Sequence, residues 1–459
     1  MTTTENPYDL VILGGGSGGY AAALRAAELG LSVALVEQDL LGGTCLHRGC
    51  IPTKALLHAA EVADSARESE QFGVTAELTG IDMPGVHKYK DGVTRKLHAG
   101  LQGLIKSKGI TYVTGQGVLA SPTSVRVGEQ VLTGRHILLA TGSVPKSLPG
   151  LTIDGDRVIS SDHALVLDRV PSSVVVLGGG VIGVEFASVW RSFGAEVTVV
   201  EALPHLLPLE DEASSKLLER AFRRRGIKFE LGQRFSGVEY TDAGVTVTLE
   251  GGKQITAELL LVAVGRGPVS DGLGYAESGV QLERGYVIVD ELCRTDVDTI
   301  SAVGDLIPTL QLAHVGFAEG ILVAERLAGL PVQPIDYAGV PRIAYCEPEV
   351  ASVGLTSAQA GDSGYDVVET TYDLGGNGKS QILKTSGAVK LVAAKDGPIL
   401  GVHIVGSRAG ELIAEAQLIV NWDARADEVA ALIHPHPTMS EAIGEAHMSL
   451  AGKPLHAHA

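Results

Sequence analysis

Tyr8-Asp-Leu-Val-Ile-Leu-Gly14-Gly-Gly16-Ser-Gly-Gly19 joins a short apolar run to spaced glycines, and Tyr20-Ala-Ala-Ala-Leu-Arg-Ala-Ala-Glu-Leu-Gly30 follows it. The apolar run reads as a buried parallel strand, and the alanine-rich stretch as a helix stopped by Gly30. A second apolar run, Val33 to Val36, ends in Glu37. The spacing suits a dinucleotide. Gly14 permits a tight turn, Gly16 lets a pyrophosphate approach the backbone, and Gly19 lets the helix pack on the strand. The helix N-terminus then faces the phosphates, and Glu37 can accept from a ribose diol.

The pattern occurs twice. Val174-Val-Val-Leu-Gly178-Gly-Gly180-Val-Ile-Gly183 leads into Val184-Glu185-Phe-Ala-Ser-Val-Trp-Arg-Ser-Phe-Gly194, then Val197 to Val200 and Glu201. The acidic residue follows the first glycine by 23 positions in both copies. One such glycine pattern is weak evidence; two in register, each with strand, helix, strand and acid, predict an α/β chain with two Rossmann-like domains holding two different dinucleotides. The first copy is followed, 8 and 13 residues after Glu37, by a cysteine pair, so it is expected to hold the electron-accepting ring of a flavin, FAD. The second is expected to hold NAD. A carboxylate at Glu201 suits a ribose 2′-hydroxyl and repels a 2′-phosphate, and Ala202-Leu-Pro-His205 supplies no Arg or Lys to reverse that.

Composition sets the outer limits. A chain of 459 residues implies about three domains. A net charge of −18 disfavours nucleic acid and anionic membranes as partners. The hydrophobic share, 45%, supports several cores, and no apolar run is long enough to span a bilayer. Met1 to Pro7 lacks a basic segment followed by an apolar one, so a cytoplasmic location is expected. Four cysteines are too few for a disulfide scaffold.

Two of those cysteines lie in Leu41-Gly42-Gly43-Thr44-Cys45-Leu-His-Arg-Gly49-Cys50-Ile-Pro52-Thr53-Lys54. Read as a redox dithiol, Cys45 and Cys50 close a short loop at the start of a helix whose first turn holds Pro52 and whose N-terminus lowers thiol pKa. A metal site would need two further ligands, and no metal is expected. Two inert buried cysteines are the plain alternative. His47 and Arg48 are candidates for depressing a thiol pKa or for ordinary exposed loop positions. Cys293 and Cys346 have no partners in sequence and read as packing residues.

These motifs resemble the pyridine nucleotide–disulfide oxidoreductase family, with matches along essentially the whole chain. The resemblance implies a branch that reoxidises protein-bound dihydrolipoyl groups with NAD+, through a Cys45–Cys50 redox disulfide and FAD. It implies that Lys54, paired with Glu185, lies beside the flavin, and that Gly117 meets its adenine. Ala140-Thr141-Gly142-Ser143 resembles the return to the flavin domain. Thr299-Ile-Ser-Ala-Val-Gly304-Asp305 resembles the motif whose Asp holds the ribityl chain, and Leu312-Ala313-His314 with Glu319-Gly320 resembles the helix beneath the ring. Gly265 is implied as a further cofactor contact. In His434-Pro-His436-Pro437-Thr438-Met-Ser-Glu441 the family pattern selects His436 over His434 as the general base, with Glu441 orienting it. The implied partners are a second copy of the chain and a lipoyl-bearing acyltransferase or carrier protein. Reductases of glutathione or mycothiol disulfides share the dithiol, but glutathione-type relatives favour NADP, against Glu201. Mercuric reduction needs a further cysteine pair after Cys346, and there is none. A non-catalytic structural subunit is disfavoured by the intact Cys45, Cys50, His436 and Glu441.

Departures from the family pattern are Gly267 and Val269, expected to loosen the exit strand of the nicotinamide domain, Gly316 in place of Ala, and Cys346 in place of Thr. The expected division is a first FAD segment over 1–149, an NAD domain over 150–270, a returning FAD segment over 271–340 and an α+β dimerisation domain over 341–459. Within it, helices are expected near 83–108 and 408–421 and a strand at 245–249. Leu455-His-Ala-His-Ala459 reads as a loose tail.

Overall fold

The structure, a computed structural model, describes residues 7–456. The expectation drawn from Met1 to Asn6, and His458 of the tail, lie outside these residues. The chain forms two compact units: Met1–Leu56, Pro84–Lys146 and Gly265–Tyr337 make one, and Leu57–Met83, Ser147–Val264 and Ala338–Ala459 the other.

In the first unit the strands Thr111–Thr114, Val33–Glu37, Tyr8–Leu13 and Gln130–Leu139 lie parallel in that order. The far edge of Gln130–Leu139 is shared. Its first half pairs antiparallel with Ser124–Val127, and its second half pairs parallel with Ile300–Ala302. Leu10, Val11, Ile12, Ala34 and Leu35 are fully buried, because a parallel sheet is covered on both faces. The helices Ser17–Glu28 and Ala313–Leu327 cross closely: a Cβ on Gly320 would stand 2.2 Å from the Gly18 carbonyl oxygen. At Gly316 a Cβ would lie 3.4 Å from the Gly18 nitrogen, so the alanine of the family pattern is close to fitting as well.

The second unit contains a parallel sheet ordered Lys228–Leu231, Glu196–Glu201, Ser173–Leu177, Leu259–Val262, Val158–Ile159. An antiparallel meander of Phe235–Thr241, Gly244–Leu249 and Gln254–Ala257 accompanies it. The unit also holds an antiparallel sheet ordered Arg342–Ala344, Glu349–Gly354, Ile399–Gly406, Ala388–Ala394, Val367–Asp373. Ala409–Asn421 and Glu441–Leu450 pack on this sheet through Ile413, Ala416, Ile419, Ala442, Ile443 and Ala446. Asp211 ties the two sheets' elements together. It caps the helix Glu212–Arg224 through the Ala213 amide (3.0 Å) and takes Lys390 Nζ at 3.0 and 3.1 Å.

The helix expected near 83–108 spans Met83–Ser107, that near 408–421 spans Ala409–Asn421, and the strand at 245–249 is Gly244–Leu249. Three expectations change. Cys45 and Cys50 do not share one helix start: Cys45 sits inside a short helix, Gly43–Arg48, and Gly49, outside helical geometry at φ −145° and ψ −112°, separates it from the helix that Cys50 opens. The tail is not loose as far as His456, whose amide and ring both bond Glu445. Gly267 does not loosen its strand either. Arg266–Pro268 pairs regularly with Ser143–Pro145, and the Lys146 side chain lies where a Cβ on Gly267 would stand, 2.8 Å from Cε.

Candidate functional site

The first cradle lies at the end of Tyr8–Leu13. A Cβ on Gly14 (φ +109°) would stand 2.2 Å from the Ala140 carbonyl oxygen, and one on Gly19 would stand 1.9 Å from that of Gly14. Only glycine permits this turn and this helix approach. Helix Ser17–Glu28 starts at Gly16 with no side-chain cap and no acidic residue in its first turn, which leaves its N-terminal amides to an anion. Buried Glu37 accepts from the amides of Gly15 (2.7 Å) and Asp39 (2.8 Å). Gly117, buried at the start of Gly117–Ser121, has no room for a side chain, since a Cβ would meet Leu13 at 2.4 Å and Val36 at 3.0 Å.

The far wall gathers the returning segments. Thr141 donates to the Val269 carbonyl at 2.6 Å, beside the Tyr275 hydroxyl at 3.0 Å. Gly142 takes the left-handed conformation (φ +69°) just before Ser143. Ser143 donates to Asp305 at 2.5 Å, and Arg266 donates to the Ser143 hydroxyl (2.8 Å) and carbonyl (2.6 Å) and reaches Thr44 at 3.4 Å. Ala313 and His314 open the helix Ala313–Leu327, which also lacks a side-chain cap. Glu319, fully buried, accepts from the Gly304 amide and from Thr309 and Tyr337, and burial raises its carboxyl above the ordinary range despite them.

The second cradle repeats the first. Gly178 would bring a Cβ to 2.3 Å from the Ala263 carbonyl oxygen, and Gly183 to 1.9 Å from that of Gly178. Helix Val181–Phe193 begins at Gly180 without a side-chain cap. Glu201 accepts from the amides of Gly179 (2.6 Å) and Leu203 (2.8 Å). Glu185, on that helix and 2% exposed, accepts from the Tyr345 amide at 3.0 Å. Gly265 (φ +109°) begins the returning segment of the first unit, and its carbonyl takes the Lys146 amide.

The structure holds Cys45 and Cys50 as two thiols in mutual contact. The hydrogen bond with Cys50 and burial push the Cys45 thiol up; Lys54, one turn after Cys50, and Ser17 pull the other way. Burial and the two sulfurs raise Tyr20 to about 12. His47 and Arg48 turn elsewhere, to the Leu41 carbonyl at 2.9 Å and to Asp39. Lys54 and Ser17, rather than the loop histidine and arginine, are the groups that favour the Cys45 thiolate.

In the other unit His436 Nδ1 lies 2.7 Å from Glu441, whose second oxygen accepts the Thr438 amide at 2.7 Å. Burial opposes the charge on Glu441, but the Thr438 amide, His436 and His456 outweigh it and hold the carboxyl below its ordinary range. The imidazole is 73% exposed, so Nε2 is open to an incoming group. His434 is enclosed instead: it bonds Glu415 at 2.7 Å, which raises its pKa, and its ring lies where a Cβ on Gly444 would stand.

Comparison with known proteins matches residues 8–320 to the pyridine nucleotide-disulphide oxidoreductase family and residues 340–447 to that family's dimerisation domain. The chain belongs to this family. It is 42% identical to dihydrolipoyl dehydrogenase of Bacillus subtilis, over 98% of this chain and 99% of that one. It is also 42% identical to the mitochondrial dihydrolipoyl dehydrogenase of Pisum sativum, over 98% and 92% respectively. Among solved structures, LpdA of Mycobacterium tuberculosis superposes with a TM-score of 0.90 at 28% identity, covering 98% of this chain and all of that one. As a flavoprotein disulfide oxidoreductase of this family the chain uses FAD and NAD(H), and both cradles fit the assignment: uncapped helix starts, glycines at the points of closest approach, and a carboxylate at each ribose position. The dimerisation domain makes it a homodimer. No helix among the described residues is long and apolar enough to cross a membrane, and no cluster of three or more His, Cys, Asp or Glu among them could hold a metal ion.

Sequence reading missed Ser17, Arg266 and the enclosure of His434. Ser17 lay within the first glycine motif, next to the dithiol loop in space but 28 residues away in sequence. Arg266 reaches Thr44 across 222 positions, which no local pattern encodes.

Proposed function

We propose that the chain is a dihydrolipoyl dehydrogenase, oxidising protein-bound dihydrolipoyl groups with NAD+ in the cytoplasm. The observation that carries this is the contact between Cys45 and Cys50 at the first cradle, with Lys54 one turn beyond. FAD, held by Gly14, Gly16, Gly19, Glu37, Asp305 and the start of Ala313–Leu327, supplies when bound the two-electron relay between this dithiol and NAD+. Gly178, Gly180, Gly183 and Glu201 hold the nicotinamide nucleotide.

The chain's own residues account for the sulfur chemistry. His436 Nε2 takes the proton of a substrate thiol while Glu441 keeps Nδ1 as a donor. The substrate thiolate attacks Cys45 of the oxidised pair; a sulfur–sulfur bond forms to Cys45, the Cys45–Cys50 bond breaks, and Cys50 leaves as a thiolate. That charge develops at the first residue of Cys50–Arg67, where the helix N-terminus and Lys54 favour it. The second substrate sulfur then displaces Cys45, releasing the cyclic lipoyl disulfide and leaving both cysteines reduced. A lipoyl group carried on an acyltransferase or carrier protein is the substrate in this reading.

His436 lies in the dimerisation domain, and in this reading, as the family resemblance implies, its base serves the dithiol of the partner subunit. Mixing inactive Cys45→Ser and His436→Gln chains should restore up to half of wild-type activity per heterodimer; none would return if each site were built within one chain. The activity itself is tested by NADH formation from dihydrolipoamide, against NADH- or NADPH-driven reduction of glutathione and mycothiol disulfides. Faster turnover of either of the latter would overturn the assignment.

A further inference from the structure

The helix Glu441–Leu450 carries two glutamates one turn apart, and each holds a histidine from outside the helix. Glu441 bonds His436, from the preceding loop, at 2.7 Å. Glu445 bonds the ring of His456, from the tail, at 2.7 Å and its amide at 3.1 Å. The Glu445 side chain is the more enclosed, 7% exposed against 19% for Glu441. Tyr372 of the strand Val367–Asp373 completes the cluster. Its hydroxyl is buried without a hydrogen-bond partner among the described residues, and burial followed by Glu445 and Glu441 pushes it up to about 12. Gly376 closes the same spot: a Cβ there would stand 2.8 Å from the His456 carbonyl oxygen and 3.0 Å from the Tyr372 hydroxyl. One on Gly378 would stand 3.9 Å from the His436 ring.

We propose that the His456–Glu445 pair is a positioning pair for the His436–Glu441 base, cancelling the charge of a second carboxylate one helical turn away and so setting the pH at which His436 accepts a proton. The inference rests on the reading of His436 as the base. A carboxylate near an imidazole favours the imidazolium, which cannot accept a further proton. An imidazolium at His456 would cancel most of the field that Glu445 casts on His436; without His456, Glu445 would hold the proton on His436 to higher pH. The remaining titratable groups on the surrounding elements are the same in all of these variants. They are Asp373 beside Tyr372, Lys379 on Gly378–Leu383, Asp427 and Glu428 on Ala426–Val429, the His434–Glu415 pair, and His447, which burial depresses to about 4 and keeps neutral.

The experiment is the pH profile of kcat/KM for dihydrolipoamide, with FAD-loaded wild type, His456→Gln, Glu445→Gln and the double variant. His456→Gln should move the acid limb up by about half a pH unit, roughly threefold in rate on the limb. Glu445→Gln, which leaves His456 uncompensated, should move it down by a similar amount, and the double variant should return near wild type. His456→Lys restores the charge and should restore the limb. If the two single variants fold and lose turnover equally at all pH values, with the limb unmoved, the pair is merely structural and the proposal fails. His436→Gln is measured alongside. Loss of less than about tenfold there overturns the base itself, whereas a large loss with unmoved limbs in the tail variants overturns only the role of the tail.

Discussion

In both nucleotide cradles the third glycine approaches the first to the same degree, a Cβ standing 1.9 Å from its carbonyl oxygen, and in both the acidic residue accepts two backbone amides. The cradles part at the second glycine. Over Gly16 stands Gly43 of the dithiol loop, so close that a Cβ on Gly43 would lie 2.6 Å from the Gly16 α-carbon. A Cβ on Gly180 would meet nothing within 4 Å. The same fold unit thus serves two purposes. In the proposed reading the covered copy, which carries the dithiol, holds FAD, and the uncovered copy holds NAD. The cover is the dithiol segment that follows Glu37.

The largest effect expected from this difference is at the cover. Cys45→Ser or Cys50→Ser should abolish dihydrolipoamide turnover while the protein remains yellow. Residual turnover above a thousandth of wild type in either would detach the dithiol from the chemistry. Next comes an equal lesion placed in both cradles. Gly19→Ala and Gly183→Ala meet the same 1.9 Å obstacle, but the first should yield protein without flavin absorbance. The second should yield yellow protein that NADH no longer bleaches anaerobically. Two proteins with the same flavin content would erase the distinction. The smallest effect is at the acids. Glu201→Ala should narrow the NAD over NADP preference by roughly 10- to 150-fold, the equivalent of about 1.5–3 kcal/mol for a hydrogen bond to a charged group. Glu37→Ala should leave that preference untouched; equal changes from both would mean that the nucleotides are assigned to the wrong cradles.

Both cradles were legible because their constraints are local. The glycines, the helix and the acid fall within 24 residues, and periods of two and 3.6 report strand and helix. The helix Ala409–Asn421 was legible for the same reason, through Ile413, Ala416 and Ile419 on one face. The break at Gly49 was not, since a glycine in a short helical stretch is equally compatible with continuation. The family resemblance picked out His436 and Glu441, five positions apart, but their neighbours were hidden. His434 finds Glu415 on another helix, and His456 finds Glu445 by a reversal of the chain after Leu450. A tail of small and polar residues carries no periodicity to announce that reversal. Buried Lys390 and Asp211, 179 positions apart, were illegible on the same ground.

The strand Ile300–Ala302 completes the first sheet by pairing with Ile137 to Leu139. On a ribosome, that edge emerges 163 residues before its partner, which at about 5–20 residues per second is a wait of roughly 8–33 s. Throughout that interval the nascent chain carries an unfinished, apolar sheet edge, while the second glycine cradle and its own sheet are already being synthesised and can close. The strands of the second cradle's sheet are therefore all synthesised before the last strand of the first. Its demand for chaperones should fall on the first 146 residues, and free flavin can lock that half only after Asp305 and the helix Ala313–Leu327 have left the exit tunnel.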